Sequence, residues 1–336
     1  MVKIGLIGCG FMGGMHLSCY NALREGVRVT AIADINEERT SGFSKKFDLE
    51  VYKSGEELIK NADVDAIDIC LPTYLHTQHA VMAMEHGRDV FIEKPVCLNL
   101  DEAALLLETQ KKTGKRVMVG QVIRSWDEYK FLKKIVDENT YGKVVSAVFK
   151  RLSPLPTWSW EGWLHKPECS GTMALDLHIH DVDYMRYLLG EPQDLSSHVA
   201  RDENGILNHI FSTFLYDGFV VTVEGCWDYP KDFPFSMEYR VMFEDATVMF
   251  NSHHQSPVIY LKEGGIIKPE IERVFEDSGD LGGNISSLGG YYNELKYFVQ
   301  KLASGAEIEI APLSEGVKSV ELVLREIELA GGAVKK

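Results

Sequence analysis

Close to its start the chain reads Lys3-Ile-Gly-Leu-Ile-Gly-Cys-Gly-Phe-Met-Gly-Gly-Met-His16, an apolar run that breaks into glycines and resumes as helix-forming residues. Strand, glycine loop and helix in that order form the dinucleotide-binding fingerprint. Gly8 permits the tight turn out of the strand, Gly10 removes a side chain that would block a pyrophosphate, and Gly13 lets the helix pack closely on the strand. The helix start, with Phe11 and Met12 in its first turn, offers unpaired backbone N–H groups and a partial positive charge to phosphates. Glycine turns are common, so position and flanks have to support the motif.

The next hundred residues supply that support. A helix to about Glu25 is followed by a strand, Val27 to Ala33, that ends at Asp34. That acid stands about 20 residues beyond the last glycine, where a carboxylate accepts hydrogen bonds from the adenosine ribose hydroxyls. A phosphate would be repelled there, and Ile35-Asn36 offers no arginine to neutralise one, so NAD is expected rather than NADP. Further strands are predicted near Val51-Tyr52, over Ala66 to Leu71, over Asp89 to Ile92 and over Arg116 to Gly120. Helices lie between them, with Ser54-Gly-Glu-Glu57 and Asn99-Leu-Asp-Glu102 as capping boxes. Such alternation means a parallel sheet covered on both faces, an α/β doubly wound domain. Ligands of such sheets sit off the strand carboxyl ends. Gly8 to Gly13, Asp34, Leu71-Pro72-Thr73-Tyr-Leu-His76 and Glu93-Lys94-Pro95 all fall on those ends.

At 336 residues the chain is too long for one simple core, and two domains are expected: 1–122 for the nucleotide and 123–336 for substrate and oligomerisation. No apolar run approaches the roughly 18–20 residues that cross a membrane, and no signal peptide is read. Six scattered cysteines without a C-x-x-C pair suit a reduced, cytoplasmic setting. A net charge of −15 argues against nucleic acid or an anionic membrane as partner.

After Gln121 the alternation stops. Helices are predicted over Asp127 to Glu138 and around Ala174 to Leu188. Strand-like runs lie at Lys143 to Arg151, Ser196 to Arg201, His209 to Tyr216, Phe219 to Trp227, Tyr239 to Phe243 and Thr247 to Phe250. Two helices follow, Tyr291 to Ser304 and Ser314 to Ala330. This is an α+β domain on a mostly antiparallel sheet. Its strands are apolar at odd and even positions alike, as in Phe219-Val-Val-Thr-Val223, so one face is expected on helices and the other on a second subunit.

Two places could carry chemistry. Lys94 stands at a strand end with Pro95 restricting its backbone, placed to hydrogen-bond a substrate oxygen and stabilise charge developing on it; a surface ion pair involving Glu93 is the plain alternative. The second is Asp176-Leu-His178-Ile-His180-Asp181. In a helix His178 points about 200° away from Asp176, while Asp176 and His180 share a face. A strand would gather all three on one side and favour a metal. The apolar spacing of Met173, Leu177, Val182, Met185 and Leu189 fits a helix, so no metal is expected. An oriented acid–base pair and a core histidine paired with a carboxylate then remain.

Together, Gly8 to Gly13, Asp34, Pro72 to His76, Glu93-Lys94-Pro95 and Asp176-x-x-x-His180 resemble the glucose–fructose oxidoreductase/inositol dehydrogenase/MocA family over nearly the whole chain. The resemblance implies a Rossmann domain joined to an open-faced sheet domain, dimers or tetramers formed through that sheet, and NAD-dependent oxidation or reduction of a hydroxyl on a sugar, inositol or related polyol. It implies Lys94, Asp176 and His180 as the catalytic set, and Pro72, Thr73, His76, Glu93 and Gln121 along the cofactor. Arg124 and Trp163 are expected at the substrate, with Trp158 and Trp160 as further aromatic surface for a sugar ring. Ser170-Gly171-Thr172 departs from a run of glycines found in many members, and Arg124-Ser125-Trp126-Asp127 replaces a paired-arginine motif of inositol dehydrogenases. Three rivals stand beside the dehydrogenase: transient use of NAD in an elimination or glycoside cleavage, a nucleotide-binding sensor, and a metal-dependent hydrolase using His178 and His180.

Overall fold

The computed structural model describes residues 1–23, 26–254, 256–273 and 288–331. The expected end of the first helix at Glu25 lies outside them. The chain divides into two compact units, Met1–Val122 with Leu288–Lys318, and Ile123–Ser287 with Ser319–Lys336.

In the first unit, β1 (Val2–Ile7), β2 (Val27–Ala33), β3 (Glu50–Tyr52), β4 (Ala66–Ile69), β5 (Asp89–Glu93) and β6 (Val117–Gly120) form one sheet in the order β3-β2-β1-β4-β5-β6. Every pairing is parallel. The connecting helices are α1 (Phe11–Leu23), α2 (Glu37–Ser44), α3 (Gly55–Asn61), α4 (His76–Glu85) and α5 (Leu100–Thr113). Burial on both faces explains the unbroken apolar runs: Ile4, Leu6, Ile67, Ile69, Val90, Phe91 and Ile92 are inaccessible or nearly so. The strand order reverses between β1 and β4, which makes the β1 end the crevice for a ligand.

The division expected at residue 122 leaves out a return of the chain. Residues 288–318 rejoin the first unit, where Phe298 meets Phe91 edge-to-face at 5.4 Å and Val119 N–H donates to Ala311 C=O at 2.9 Å. The apolar stripe of this late helix, read alone, does not say which sheet it covers.

The second unit contains α6 (Asp127–Asp137), β7 (Val144–Pro154), α7 (Pro167–Ser170), α8 (Ile179–Leu189) and then β8 (Asp194–Arg201) to β14 (Ile266–Ile267). Helix α9 (Gly289–Ser304) belongs to the returning segment, and α10 (Leu313–Leu329) is divided between the units at Lys318 and Ser319. The eight-stranded sheet runs β14-β13-β12-β11-β7-β10-β9-β8, with β9 at Leu207–Tyr216, β10 at Phe219–Tyr229, β11 at Ser236–Phe243, β12 at Ala246–Asn251 and β13 at Val258–Leu261. Only β7 and β10 pair in parallel. One face is filled by Phe149, Phe214, Val221, Val223, Tyr239, Val241 and Val248, all buried; the other shows Phe211, Leu215, Val220, Met242, Met249 and Tyr260. The sheet thus has one core face and one exposed face, where those apolar side chains stand among Lys150, Thr213, Thr222, Glu224, Glu238 and Arg240. Strands β13 and β14, four and two residues long, extend the sheet beyond the runs predicted from the sequence. Among the described residues no helix is long and apolar enough to cross a membrane.

Candidate active site

The glycine loop has the shape its spacing predicts. Gly8 adopts φ 94°, and a Cβ there would lie 2.5 Å from the Cys70 carbonyl oxygen; a Cβ on Gly13 would lie 1.9 Å from the Gly8 carbonyl oxygen. No side chain fits either place. Beside Gly10, by contrast, the nearest atom to such a Cβ is Arg39 Nη1 at 3.9 Å, so its open side is free for a ligand. Phe11 and Met12 are half-buried at the helix start. Asp34 closes the loop from below: Oδ2 accepts the Cys9 N–H at 2.8 Å and Oδ1 accepts the Asn36 N–H at 2.8 Å. Arg39 Nη1 stands 3.7 Å from Asp34 Oδ2, a neighbour that the sequence reading, stopping at Asn36, missed. Burial, followed by the Asp34 charge, pushes the Cys9 thiol up to about 12, so it stays an inert thiol. An open glycine, a helix start and a fixed carboxylate fit a dinucleotide.

The other strand ends lie along the same edge of that sheet. Leu71 and Pro72 are half-buried and Thr73 is buried. His76 is buried at this edge with its Nδ1 2.8 Å from Pro95 O and its Nε2 2.7 Å from Leu71 O, and a neutral ring donates to one of these two carbonyls. Burial lowers its pKa, with the two carbonyls pulling the other way. Lys94 follows β5 and is half-buried, and its backbone N–H donates to Glu93 Oε2 at 3.1 Å. Gln121 is 2 % exposed, and neither atom of its amide has a hydrogen-bond partner among the described residues. A buried amide left this way calls for a bound polar group, which fits its expected place beside a cofactor.

In the second unit Asp176 lies in a π-helical turn, Ala174–His178, that runs into α8. Such turns are often found at functional sites. Gly171 and Thr172 precede it with φ of 68° and 60°. A β-branched residue is strained at such an angle, which explains why glycines suit this segment and why Thr172 is a costly departure. From residue 172 to 186 only Asp176 and His180 keep partial exposure. Their neighbours are tied down. His178 Nε2 pairs with Glu326 at 2.8 Å, Arg151 Nε donates to Asp181 Oδ2 at 2.7 Å, and Gly225 leaves room for the His178 ring, where a Cβ would lie 2.8 Å away. With His178 and Asp181 engaged in buried pairs, the metal-hydrolase arrangement of His178 and His180 is not formed.

Arg124 requires a correction. Its guanidinium is buried and donates through Nε and Nη2 to the two oxygens of Asp183, both at 2.7 Å, with Tyr187 stacked at 4.7 Å. It braces α8 and is withdrawn from the substrate set. Trp163 is half-buried in a short helical stretch kinked by left-handed Glu161 and Gly162, while Trp158 and Trp160 are 55 % and 38 % exposed.

Residues 2–121 match the family model described as the GFO/IDH/MocA oxidoreductase family, NAD-binding Rossmann fold, and residues 129–249 match the GFO/IDH/MocA C-terminal domain. The chain belongs to the GFO/IDH/MocA family. Among curated relatives, the myo-inositol 2-dehydrogenase of Thermotoga maritima is 32% identical over 193 residues, 56% of this chain and 55% of that protein. The 2,7-anhydro-N-acetylneuraminate hydratase of Mediterraneibacter gnavus is 29% identical over 192 residues, 56% of this chain and 50% of that protein. The chain thus spans about half the length of the curated relatives it matches. An Agrobacterium radiobacter oxidoreductase, solved in complex with NAD+, L-tartaric acid and magnesium, superposes with a TM-score of 0.85 at 18% identity, covering 98% of this chain and 96% of that one. At that identity the likeness concerns the fold.

Proposed function

We propose that this GFO/IDH/MocA protein is an NAD-dependent dehydrogenase acting on a ring hydroxyl of a sugar, inositol or related polyol. The observation that carries the reading is the helix at Asp176 and His180. In a stretch otherwise closed to solvent, these two alone remain accessible, four residues apart on one helical face. Bound nicotinamide supplies the hydride acceptor. Gly8, Gly10, Phe11, Met12, Gly13, Asp34, Leu71, Pro72, Thr73 and Gln121 hold the cofactor, with Glu93 and His76 bracing the loops around it. His180 removes the hydroxyl proton, Lys94 donates a hydrogen bond to the same oxygen and stabilises its negative charge, and Asp176 orients substrate and imidazole. In the reverse direction His180 returns the proton. Trp158, Trp160 and Trp163 offer apolar surface to the sugar ring.

NAD is preferred to NADP because Asp34 would repel a 2′-phosphate; Arg39 beside it weakens that repulsion and makes residual NADP use measurable. A homo-oligomer forms through the exposed face of the sheet, and the free thiols of all six cysteines suit the cytoplasm.

The test is a screen of inositols, aldoses and sugar acids with NAD and with NADP, following reduced cofactor, with Lys94→Ala alongside. The variant should lose turnover and still bind NAD; full turnover in it refutes the assigned role. A second reading, transient oxidation within an elimination or hydration, is favoured by the hydratase among the relatives. It predicts substrate consumption without net NADH.

A further inference from the structure

Beneath the strand end that carries Lys94 lies a buried cluster of ionisable groups that the proposed chemistry leaves unused. His16 on α1 is fully buried. Its Nδ1 is 2.9 Å from Asp68 Oδ2 on β4, and its Nε2 is 3.1 Å from Glu93 Oε1 at the end of β5. Neutral imidazole donates from one nitrogen only, so both contacts are made together by the imidazolium. Burial opposes that charge, but the Asp68 carboxylate, through its charge and its hydrogen bond, outweighs burial and holds the His16 pKa well above the ordinary value.

The remaining groups around the ring are neutral. Glu294 on α9 is 1 % exposed, and burial, then the Glu93 charge, raises its carboxyl well above the carboxylate range. Neither Glu294 oxygen has a hydrogen-bond partner among the described residues, as suits an uncharged acid better than a buried anion. Burial likewise raises Cys19 and Tyr20 on α1 and Cys70 after β4, which keeps them protonated.

Glu93 links this cluster to Lys94. While Oε1 faces His16, Oε2 accepts the Lys94 backbone N–H at 3.1 Å. Gly120, paired with Glu93 across β5 and β6, makes room for the carboxylate, since a Cβ there would lie 3.1 Å from Oε1. Phe91 walls the ring edge-to-face at 5.4 Å. We infer that His16 is a positioning residue for Lys94: by donating to Asp68 and Glu93 at once it fixes the Glu93 carboxylate, and Glu93 fixes the backbone from which the lysine reaches its substrate. His16 also sits three residues past Gly13, so one brace joins the helix of the phosphate loop to the strand end of the lysine. The inference rests on the role proposed for Lys94. His16, Glu93 and Glu294 also place ligand atoms within 4.8 Å of one another, but a cation there would take the Nε2 lone pair and replace the contact with Glu93.

The test uses the full chain with His16→Gln and, separately, Glu93→Gln. Three readouts are taken: hydrogen exchange at the Lys94 amide, NADH binding, and kcat and KM on an accepted polyol. The brace predicts exchange at Lys94 faster by about tenfold or more while Val90 to Ile92 stay protected. NADH binding should persist, and kcat should fall by about 10- to 100-fold with KM nearly unchanged. Unchanged exchange and turnover in both variants overturn the inference. So does exchange that rises across all of β5, which makes His16 a general packing residue, and so does stoichiometric metal in the wild type that both variants lose. Because exchange needs no turnover, a wild type that oxidises no polyol refutes the proposed reaction and leaves the brace still measurable.

Discussion

Arg124 and Asp183 meet through two parallel hydrogen bonds of 2.7 Å, with both side chains almost fully buried. Ser319 Oγ donates to the same Asp183 at 2.7 Å and accepts from Arg186 Nη1 at 2.7 Å, so the pair belongs to a network that fastens α8. Removing the guanidinium leaves a buried carboxylate without its counter-charge. Arg124→Leu should cost about 3–5 kcal/mol of stability. Arg124→Lys keeps a charge but cannot form the fork and should lower Tm by less. In both variants the loss should appear in thermal unfolding, with KM for substrate little changed in the lysine variant. A large rise in KM without loss of Tm would return Arg124 to the substrate.

The glycine loop separates folding from binding. Gly13→Ala drives a Cβ to 1.9 Å from the Gly8 carbonyl and should destabilise the first unit outright. Gly10→Ala meets nothing closer than 3.9 Å and should melt like the wild type. Its methyl group occupies the space a pyrophosphate needs, so NADH affinity should fall by about tenfold or more. Fluorescence titration of NADH beside thermal melting reads both effects. Equal NADH affinity in Gly10→Ala would show that the phosphates do not pass that glycine.

Local signals make much of this molecule legible in its sequence. Alternating apolar runs, capping boxes and glycine spacing act over a few residues, and they located the six parallel strands and the loop at Gly8. The unread features depend on partners brought from far along the chain. Asp68 stands inside Ala66-Ile-Asp-Ile69, where a charge in a buried strand demands a partner; the demand was visible, but His16, 52 residues away, was not. Arg39 follows Asp34 by five residues, and its guanidinium reaches back to the Asp34 carboxylate from within α2. Arg124 carried the right charge in a plausible place, and only packing shows its guanidinium engaged. At Asp176 the helical period correctly placed His178 away from the exposed pair, although the local geometry is a π turn and not the α turn assumed.

The exposed sheet face predicts association. Leu215 and Val220 are paired across β9 and β10 and are 43 % and 40 % exposed, with Phe211 at 47 % on the same strand as Leu215. Large apolar side chains exposed on an open sheet are suited to cover by a second copy of the chain. Leu215→Arg, changed together with Val220→Arg, should convert an oligomer to monomers in sedimentation while α-helical content is retained. A wild type that sediments as a monomer at micromolar concentration would remove the interface.

Glu294 gives stability a pH dependence of known sign. Its carboxyl titrates near 4.3 in an unfolded chain and well above that when folded, because burial and then the Glu93 charge disfavour the anion. Between those two values the folded state holds the extra proton, so stability falls as pH rises, by at most about 1.4 kcal/mol per pH unit for one group. The His16 contribution, from a pKa also raised on folding, is full below about 6.5 and declines above it. Glu294→Gln cannot titrate and therefore removes the first slope while leaving the second. Denaturant unfolding at about pH 5 and about pH 8 should show the wild type losing more stability between them than the variant. Equal losses in both proteins would mean that the folded Glu294 carboxyl titrates as it does in the unfolded chain, and that the cluster below Lys94 carries a third negative charge.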